Sequence, residues 1–364
     1  MRMTITGGGT GGHTSPAVAI VQELRRRDPQ AEITWLGRRG AIEERVSAAH
    51  GVPFIHVPGE GWPRKNSLRR VGVAVKTVFG LVRAAWAIAR IRPDFVVGVG
   101  GYVSLPVVFA AQLLGRKTVI HEQNKRLGMA NRLLARRASL IFLSYEDTIG
   151  AYPKNKARVV GNPVRAGFVA PPSAAEARQR FGLAEGVPVV LVSGGSQGAR
   201  TLNQAMAGVV NAFEANETQF IWMTGQSGYD AACAAANGAR ATVKVLPFIE
   251  DMVGASAAAD VLVGRAGASS LAEIAVLGKP SILIPFPFAT DNHQEHNARA
   301  FEAAGASVVM LDGACTAESL TGLIRELVSS RGRLQKMGEA ALTLARPEAA
   351  REIVDGVMGL LPAR

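Results

Sequence analysis

Short apolar runs of strand length recur along the chain. They are Met3–Thr6, Ile33–Leu36, Phe95–Val99, Thr118–His121, Leu140–Leu143, Val187–Val192, Phe220–Met223, Val261–Val263 and Ser281–Ile284. Between them lie alanine-rich segments whose apolar positions return with the helical period. Runs of this length read as buried strands, and the helical return as one face of a helix. Their alternation predicts βα units, and therefore parallel sheets covered by helices on both faces.

The pattern also repeats at long range. A first strand opens into Gly7-Gly8-Gly9-Thr10-Gly11-Gly12-His13 and then a helix; near the midpoint Val189–Val192 opens into Ser193-Gly194-Gly195-Ser196-Gln197-Gly198-Ala199 and another helix. Two such starts in 364 residues predict two Rossmann-like domains in tandem. The stretch from Gly161-Asn162-Pro163-Val164-Arg165 to Pro171-Pro172 reads as the linker, and Pro347 as the start of a last helix that can pack on either domain.

Charge divides the halves. Residues 1–160 hold 25 Lys/Arg against 10 Asp/Glu, whereas residues 161–364 hold 16 against 19. A basic first half predicts an anionic partner there: a polyphosphate, a membrane face or nucleic acid. The two cysteines, Cys233 and Cys315, form no CxxC and exclude a disulfide scaffold or a structural zinc site. The first residues do not read as a signal peptide. Uncharged Phe95–Gly115 holds Gly98, Gly100, Gly101 and Pro106, and reads as strand, turn and helix rather than a membrane span.

Candidate chemistry gathers where strands end. Gly7, Gly9 and Gly12 match GxGxxG, but the next strand ends in Gly37-Arg38-Arg39 rather than a ribose-binding carboxylate, which disfavours NAD and leaves NADP open. His13 stands at a helix start, where the dipole favours a neutral, proton-accepting imidazole. Gly194–Gly198 offers backbone donors and the Ser196 hydroxyl to an anion. Arg265-Ala266-Gly267-Ala268-Ser269-Ser270-Leu271-Ala272-Glu273 reads as another strand-to-helix turn, with Glu273 placed to hold a ribose diol. The polar run Asp291–Asn297 and His121-Glu122-Gln123-Asn124 also follow apolar strands. The chain contains no Asp-x-Asp, so helix dipoles and Arg165 are expected to neutralise a diphosphate without metal or cofactor.

Residues 62–92 contain eight basic residues and no acidic one. Arg69, Lys76, Arg83 and Arg90 fall seven apart and make one stripe of a helix whose other faces carry Val75, Val78, Phe79, Leu81, Val82 and Trp86. Basic plus apolar predicts docking on an anionic membrane surface.

Six of these motifs, in order, resemble the MurG family of glycosyltransferases: Gly8–His13, Gly100–Ser104, His121–Asn124, Gly161–Arg165, Gly194–Ala199 and Glu273 with its turn. Leu105 and His293 depart from the family pattern. The resemblance implies a GT-B fold, two Rossmann-like domains facing a cleft. Residues 1–161 would hold the acceptor and the membrane, and residues 162–346 would hold UDP-GlcNAc, with helix 347–364 able to pack back on the first. It implies inverting, metal- and cofactor-free transfer of N-acetylglucosamine to the muramoyl 4-hydroxyl of an undecaprenyl-diphosphate-linked acceptor, at the cytoplasmic face of the bacterial inner membrane, with no role for nucleic acid. Ser196, Arg165 and Ala268–Leu271 with Ala272 would take the diphosphate, Ile249 the uracil, Glu273 the ribose and Gln294 the sugar. Thr10, Gly11, Gly12 and Asn124 would line the reaction centre and complete the donor site. His13 is the expected base, with Glu122 in reserve. A GT-B epimerase acting on UDP-sugars, an NADP oxidoreductase or a binder of anionic polymers are the competing readings.

Overall fold

A computed structural model describes residues 1–9, 11–61, 69–195, 197–289 and 292–361. The chain forms two compact units, Met1–Ala166 with Arg346–Arg364, and Gly167–Ala345. In the first, β1 (Arg2–Thr6), β2 (Glu32–Gly37), β3 (Phe54–His56), β4 (Phe95–Gly98), β5 (Lys117–Glu122), β6 (Leu140–Leu143) and β7 (Ala157–Val159) alternate with α1 (Gly11–Arg27), α2 (Ile42–Ala49), α3 (Arg69–Ile91), α4 (Ser104–Leu113) and α5 (Met129–Leu134). A short α6 (Ala166–Val169) follows at the boundary. The second unit holds α7 (Ala174–Arg180), β8 (Val189–Ser193), α8 (Arg200–Val209), β9 (Gln219–Met223), α9 (Tyr229–Asn237), β10 (Val243–Leu246), α10 (Met252–Ala258) and β11 (Val261–Gly264). It continues with α11 (Ala268–Leu277), β12 (Ser281–Leu283), α12 (His293–Ala303), β13 (Ser307–Val309), α13 (Ala317–Val328) and α14 (Arg331–Thr343), and α15 (Ala349–Met358) returns to the first unit.

Each unit is one all-parallel sheet. The strand orders are β3-β2-β1-β4-β5-β6-β7 and β10-β9-β8-β11-β12-β13. The winding direction reverses between β1 and β4 in the first and between β8 and β11 in the second. At such a switch point the adjacent strand ends feed loops that diverge to opposite faces, opening a crevice at the carboxyl edge. β4 and β6 are buried along their whole length because both faces carry helices, which is why they read as unbroken apolar runs.

The boundary falls at 166/167, five residues beyond the expected end at 161. Val160 and Val164 are buried, and the Ala166 N–H donates to Gln22 Oε1 of α1 at 3.0 Å. Arg165 therefore belongs to the first unit. Helix α15 packs on α1, with Ile353, Val354 and Val357 joining the core of β1, β4 and β6.

Candidate functional site

At the first switch point Thr6 pairs with Gly98, and the loops that follow press on each other. Gly100 and Gly101 have φ of +91° and +81°, and a Cβ on Gly101 would sit 2.3 Å from the Gly8 carbonyl oxygen. Only glycine meets both conditions. Ser104 ties the second loop down, donating to the carbonyls of Gly100 (2.6 Å) and Thr6 (3.2 Å). Beneath the first loop lies a residue the sequence did not single out. Glu43, fully buried, accepts the N–H of Gly9 at 3.1 Å through one oxygen and that of Arg38 at 3.1 Å through the other. A carboxylate already occupying an N–H of the GxGxxG loop opposes a phosphate there, which argues against a dinucleotide. Its sequence context, an acidic residue in the first turn of α2, looks like ordinary pairing with the helix dipole.

His13 lies in the first turn of α1. Its Nδ1 is 3.1 Å from the Val99 carbonyl oxygen and 3.2 Å from Gln123 Oε1. A Cβ on Gly100 would lie 2.9 Å from the same nitrogen, so the glycine makes room for the ring. Glu122, at the end of β5, is differently placed. One oxygen accepts from the Asn124 backbone N–H and Nδ2 (3.0 and 3.1 Å), and the other from Gly128 N–H and Asn131 Nδ2 (2.8 and 2.9 Å). Four donors on a nearly buried carboxylate hold the β5–α5 loop and position Asn124. Gly11 and Gly12 open α1, while Thr10 lies outside the described residues.

In the second unit, Ser193 at the end of β8 pairs with Gly264 at the end of β11. Gly194–Gly198 and the Arg265–Glu273 turn are thus neighbours at the switch point; Ser196 lies outside the described residues. Gly267 at the N-cap of α11 has no side chain to cover the first N–H groups, which begin with Ala268, Ser269 and Ser270. Leu271 is buried in the core, and Ala272 and Glu273 are half-exposed. Arg265 anchors the turn. Its Nη1 lies 2.5 Å from Asp312 Oδ1 and donates to the Ile284 carbonyl at 3.1 Å, while Thr201 donates to the other Asp312 oxygen at 2.9 Å. Gln294, in the first turn of α12, accepts the Phe286 N–H at 3.0 Å. Ile249 is 4 % exposed and belongs to the core, so its side chain is not offered to a ligand.

Two family models match the chain: the glycosyltransferase family 28 N-terminal domain over residues 3–143 and the C-terminal domain over residues 189–353. A UDP-N-acetylglucosamine–N-acetylmuramyl-(pentapeptide) pyrophosphoryl-undecaprenol N-acetylglucosamine transferase from Desulfitobacterium hafniense is 41 % identical, covering 98 % of both chains. One so named from Bacillus cereus is 37 % identical over 98 % of both. The crystal structure of Acinetobacter baumannii MurG is 28 % identical and superposes with a TM-score of 0.74, covering 98 % of this chain and 99 % of that one. The chain belongs to the MurG family.

A MurG-family chain is a glycosyltransferase of GT-B fold, and the two parallel-sheet units are its two Rossmann-like halves. A UDP-GlcNAc 2-epimerase from Neisseria meningitidis also superposes, with a TM-score of 0.70 over 99 % of this chain and 100 % of that one, but at 14 % identity it shares the fold alone. Two stretches read from the sequence bear on the membrane. Phe95–Gly115 is β4, a glycine turn and α4, inside the MurG-type unit. The long apolar helix is α3: by length and composition Arg70–Ile91 could cross a membrane. Instead one side of it, Val73, Gly80, Ala84, Ala87 and Ile88, is buried, and it packs on α4. Its other side exposes Val71, Val75, Val78, Phe79 (66 %), Val82 and Trp86 (52 %). The Arg83 and Arg90 guanidinium groups lie 4.9 and 5.8 Å from the Trp86 ring centre, while Lys76 pairs with Glu60 at 2.6 Å. Residues 62–68 of the basic segment lie outside the described residues.

Proposed function

We propose that this MurG-family chain transfers N-acetylglucosamine from UDP-GlcNAc to the 4-hydroxyl of the muramoyl sugar of an undecaprenyl-diphosphate-linked pentapeptide acceptor, with inversion at the anomeric carbon. The observation that carries the reading is identity of 41 % along essentially the whole chain to a relative named for that reaction. In this reading His13 Nε2 removes the hydroxyl proton as the oxygen attacks C1. The C1–oxygen bond to the β-phosphate breaks on the opposite side and UDP leaves. The N–H groups at the start of α11, with Ser196 and Arg165, would stabilise the leaving diphosphate, because fixed dipoles favour charge that develops at a helix start. Glu273 would hold the ribose, Gln294 the sugar, and Ile249 the uracil through its main chain. Gly11, Gly12, Asn124 and Thr10 would line the reaction centre.

The exposed face of α3 supports peripheral attachment to an anionic membrane. α4 and α5 extend the same chemistry, with Leu113, Leu114, Met129 and Leu133 exposed. A lipid-linked acceptor presents its sugar at that surface, so an attached enzyme meets it in two dimensions. We place the chain on the cytoplasmic side of the inner membrane, where a nucleotide sugar is available. Incubation with radiolabelled UDP-GlcNAc and the lipid-linked acceptor tests the reading: label moving into the lipid fraction supports it. Conversion of UDP-GlcNAc to its 2-epimer without transfer would replace it with the epimerase reading.

A further inference from the structure

Behind His13 runs a chain of buried polar groups that the reaction as described does not use. Gln123 is 2 % exposed and His121 is 0 % exposed. Gln123 Oε1 faces His13 Nδ1 at 3.2 Å; Gln123 Nε2 lies 2.8 Å from the Val99 carbonyl oxygen and 3.0 Å from His121 Nδ1; His121 Nε2 lies 2.9 Å from the Gly161 carbonyl oxygen. Every direction in this chain follows from chemistry. The Gly161 carbonyl accepts only, so His121 Nε2 carries a proton and donates. Burial pushes the His121 pKa down to about 4, which keeps the ring neutral at physiological pH, so its Nδ1 is an acceptor. Gln123 must therefore turn its amide nitrogen toward His121 and Val99 and its oxygen toward His13. Both neighbours of His13 Nδ1 are then acceptors, and that nitrogen carries the proton.

We propose that Gln123 and His121 are positioning residues that lock His13 in the Nδ1–H tautomer, so that Nε2 is the basic nitrogen. The device is a neutral counterpart of the carboxylate that orients a histidine in hydrolase triads. A buried carboxylate at position 123 would be repelled by the Val99 carbonyl oxygen and the lone pair of His121. An amide satisfies all three neighbours because it is donor at one end and acceptor at the other. The chain also fixes the ring plane, since His13 is held at one nitrogen by two oxygens from different elements, the β4–α4 turn and the loop after β5.

This inference deepens the reading of His13 as base and rests on it for its consequence in turnover, but the tautomers can be tested without it. Two-bond proton–nitrogen NMR correlation of the ¹⁵N-histidine-labelled full chain, assigned with His13→Ala and His121→Phe variants, reads which ring nitrogen is protonated. Expected are His13 protonated on Nδ1 and His121 on Nε2 at pH 7.5. In Gln123→Leu only the Val99 carbonyl remains to hold the proton on Nδ1, so the Nε2–H tautomer of His13 should become detectable, and kcat should fall about tenfold or more, a part of the roughly 10²–10⁴-fold that general-base catalysis supplies. The KM for UDP-GlcNAc should stay unchanged, which a general loss of structure would not leave intact. Parental His13 protonated on Nε2 overturns the proposal, as does Gln123→Leu with parental tautomer and turnover. Should Gln123→Leu fail to fold, the parental spectrum decides alone. A His13→Ala enzyme with full turnover would sink the base reading while leaving the tautomer result standing.

Discussion

Helix α3 offers the cleanest separation of charge from apolar burial at a membrane. Phe79 is 66 % exposed and Arg83 sits one turn on, over Trp86 at 4.9 Å. Burying a phenylalanine side chain is worth about 1.5–3 kcal/mol, and a basic residue near an anionic surface about 1 kcal/mol. Phe79→Ser should therefore weaken partition onto vesicles by roughly ten- to a hundredfold, nearly independent of salt. Arg83→Glu changes the local charge by two units, worth about 2 kcal/mol or roughly thirtyfold at low ionic strength, and its effect should fade by about 0.5 M salt. Lys76 makes a weaker probe, because Glu60 already pairs with it at 2.6 Å. The assay is co-sedimentation with vesicles of phosphatidylcholine and phosphatidylglycerol across a salt series, with UDP-induced thermal stabilisation as the control for folding. Parental binding of Phe79→Ser at every salt concentration would refute insertion of this face.

Three further outcomes follow from the site. His13→Ala should lower kcat at least about a hundredfold, the typical lower value for general-base catalysis, while UDP still raises the Tm as in the parent; near-parental turnover would remove His13 as the base. Gly100→Ala places a Cβ 2.9 Å from His13 Nδ1 at a φ of +91°, and should reduce kcat by displacing the ring. Its backbone strain should also cost about 1–3 kcal/mol of stability, read by urea titration, and parental values of both would contradict the loop geometry. Acid should weaken the first unit through His121. Below pH ~6.5 the unfolded chain protonates this residue, whereas the native one resists until about pH 4, so stability is full above that window and falls by about 3 kcal/mol as pH drops through it. Urea midpoints between pH 7 and 4.5 should decline less steeply in His121→Phe, and equal slopes would remove His121 as the cause.

The central strands were legible because they are covered on both faces, and continuous apolar runs mark them. The four strands absent from those runs, β3, β7, β10 and β13, are the edges of the two sheets. They are three or four residues long and mostly half-buried, so no unbroken apolar signal distinguishes them from loop. The glycine loops were legible because positive φ and close backbone approach demand glycine itself. Within the site, His13 and the His121–Asn124 motif stood out by residue type and by following strands. The roles of His121 and Gln123 inside that motif did not, because they are set by partners 24 to 110 residues away, Val99, Gly161 and His13. Glu43 was hidden for the same reason: its partner Gly9 lies 34 residues earlier. The division at 166/167 falls inside the stretch Gly161–Pro172 read as the linker, and burial of Val164 with the Ala166–Gln22 hydrogen bond carries the first unit five residues past 161.

The most direct test of the account is a single-turnover reaction with radiolabelled UDP-GlcNAc and the undecaprenyl-diphosphate-linked muramoyl-pentapeptide, with products separated by butanol extraction. The account predicts one labelled N-acetylglucosamine per acceptor lipid, β-linked at the muramoyl 4-hydroxyl, formed by the parent and lost at least about a hundredfold in rate with His13→Ala. Label that stays in water-soluble UDP-sugar, or that enters lipid equally fast with His13→Ala, would contradict it.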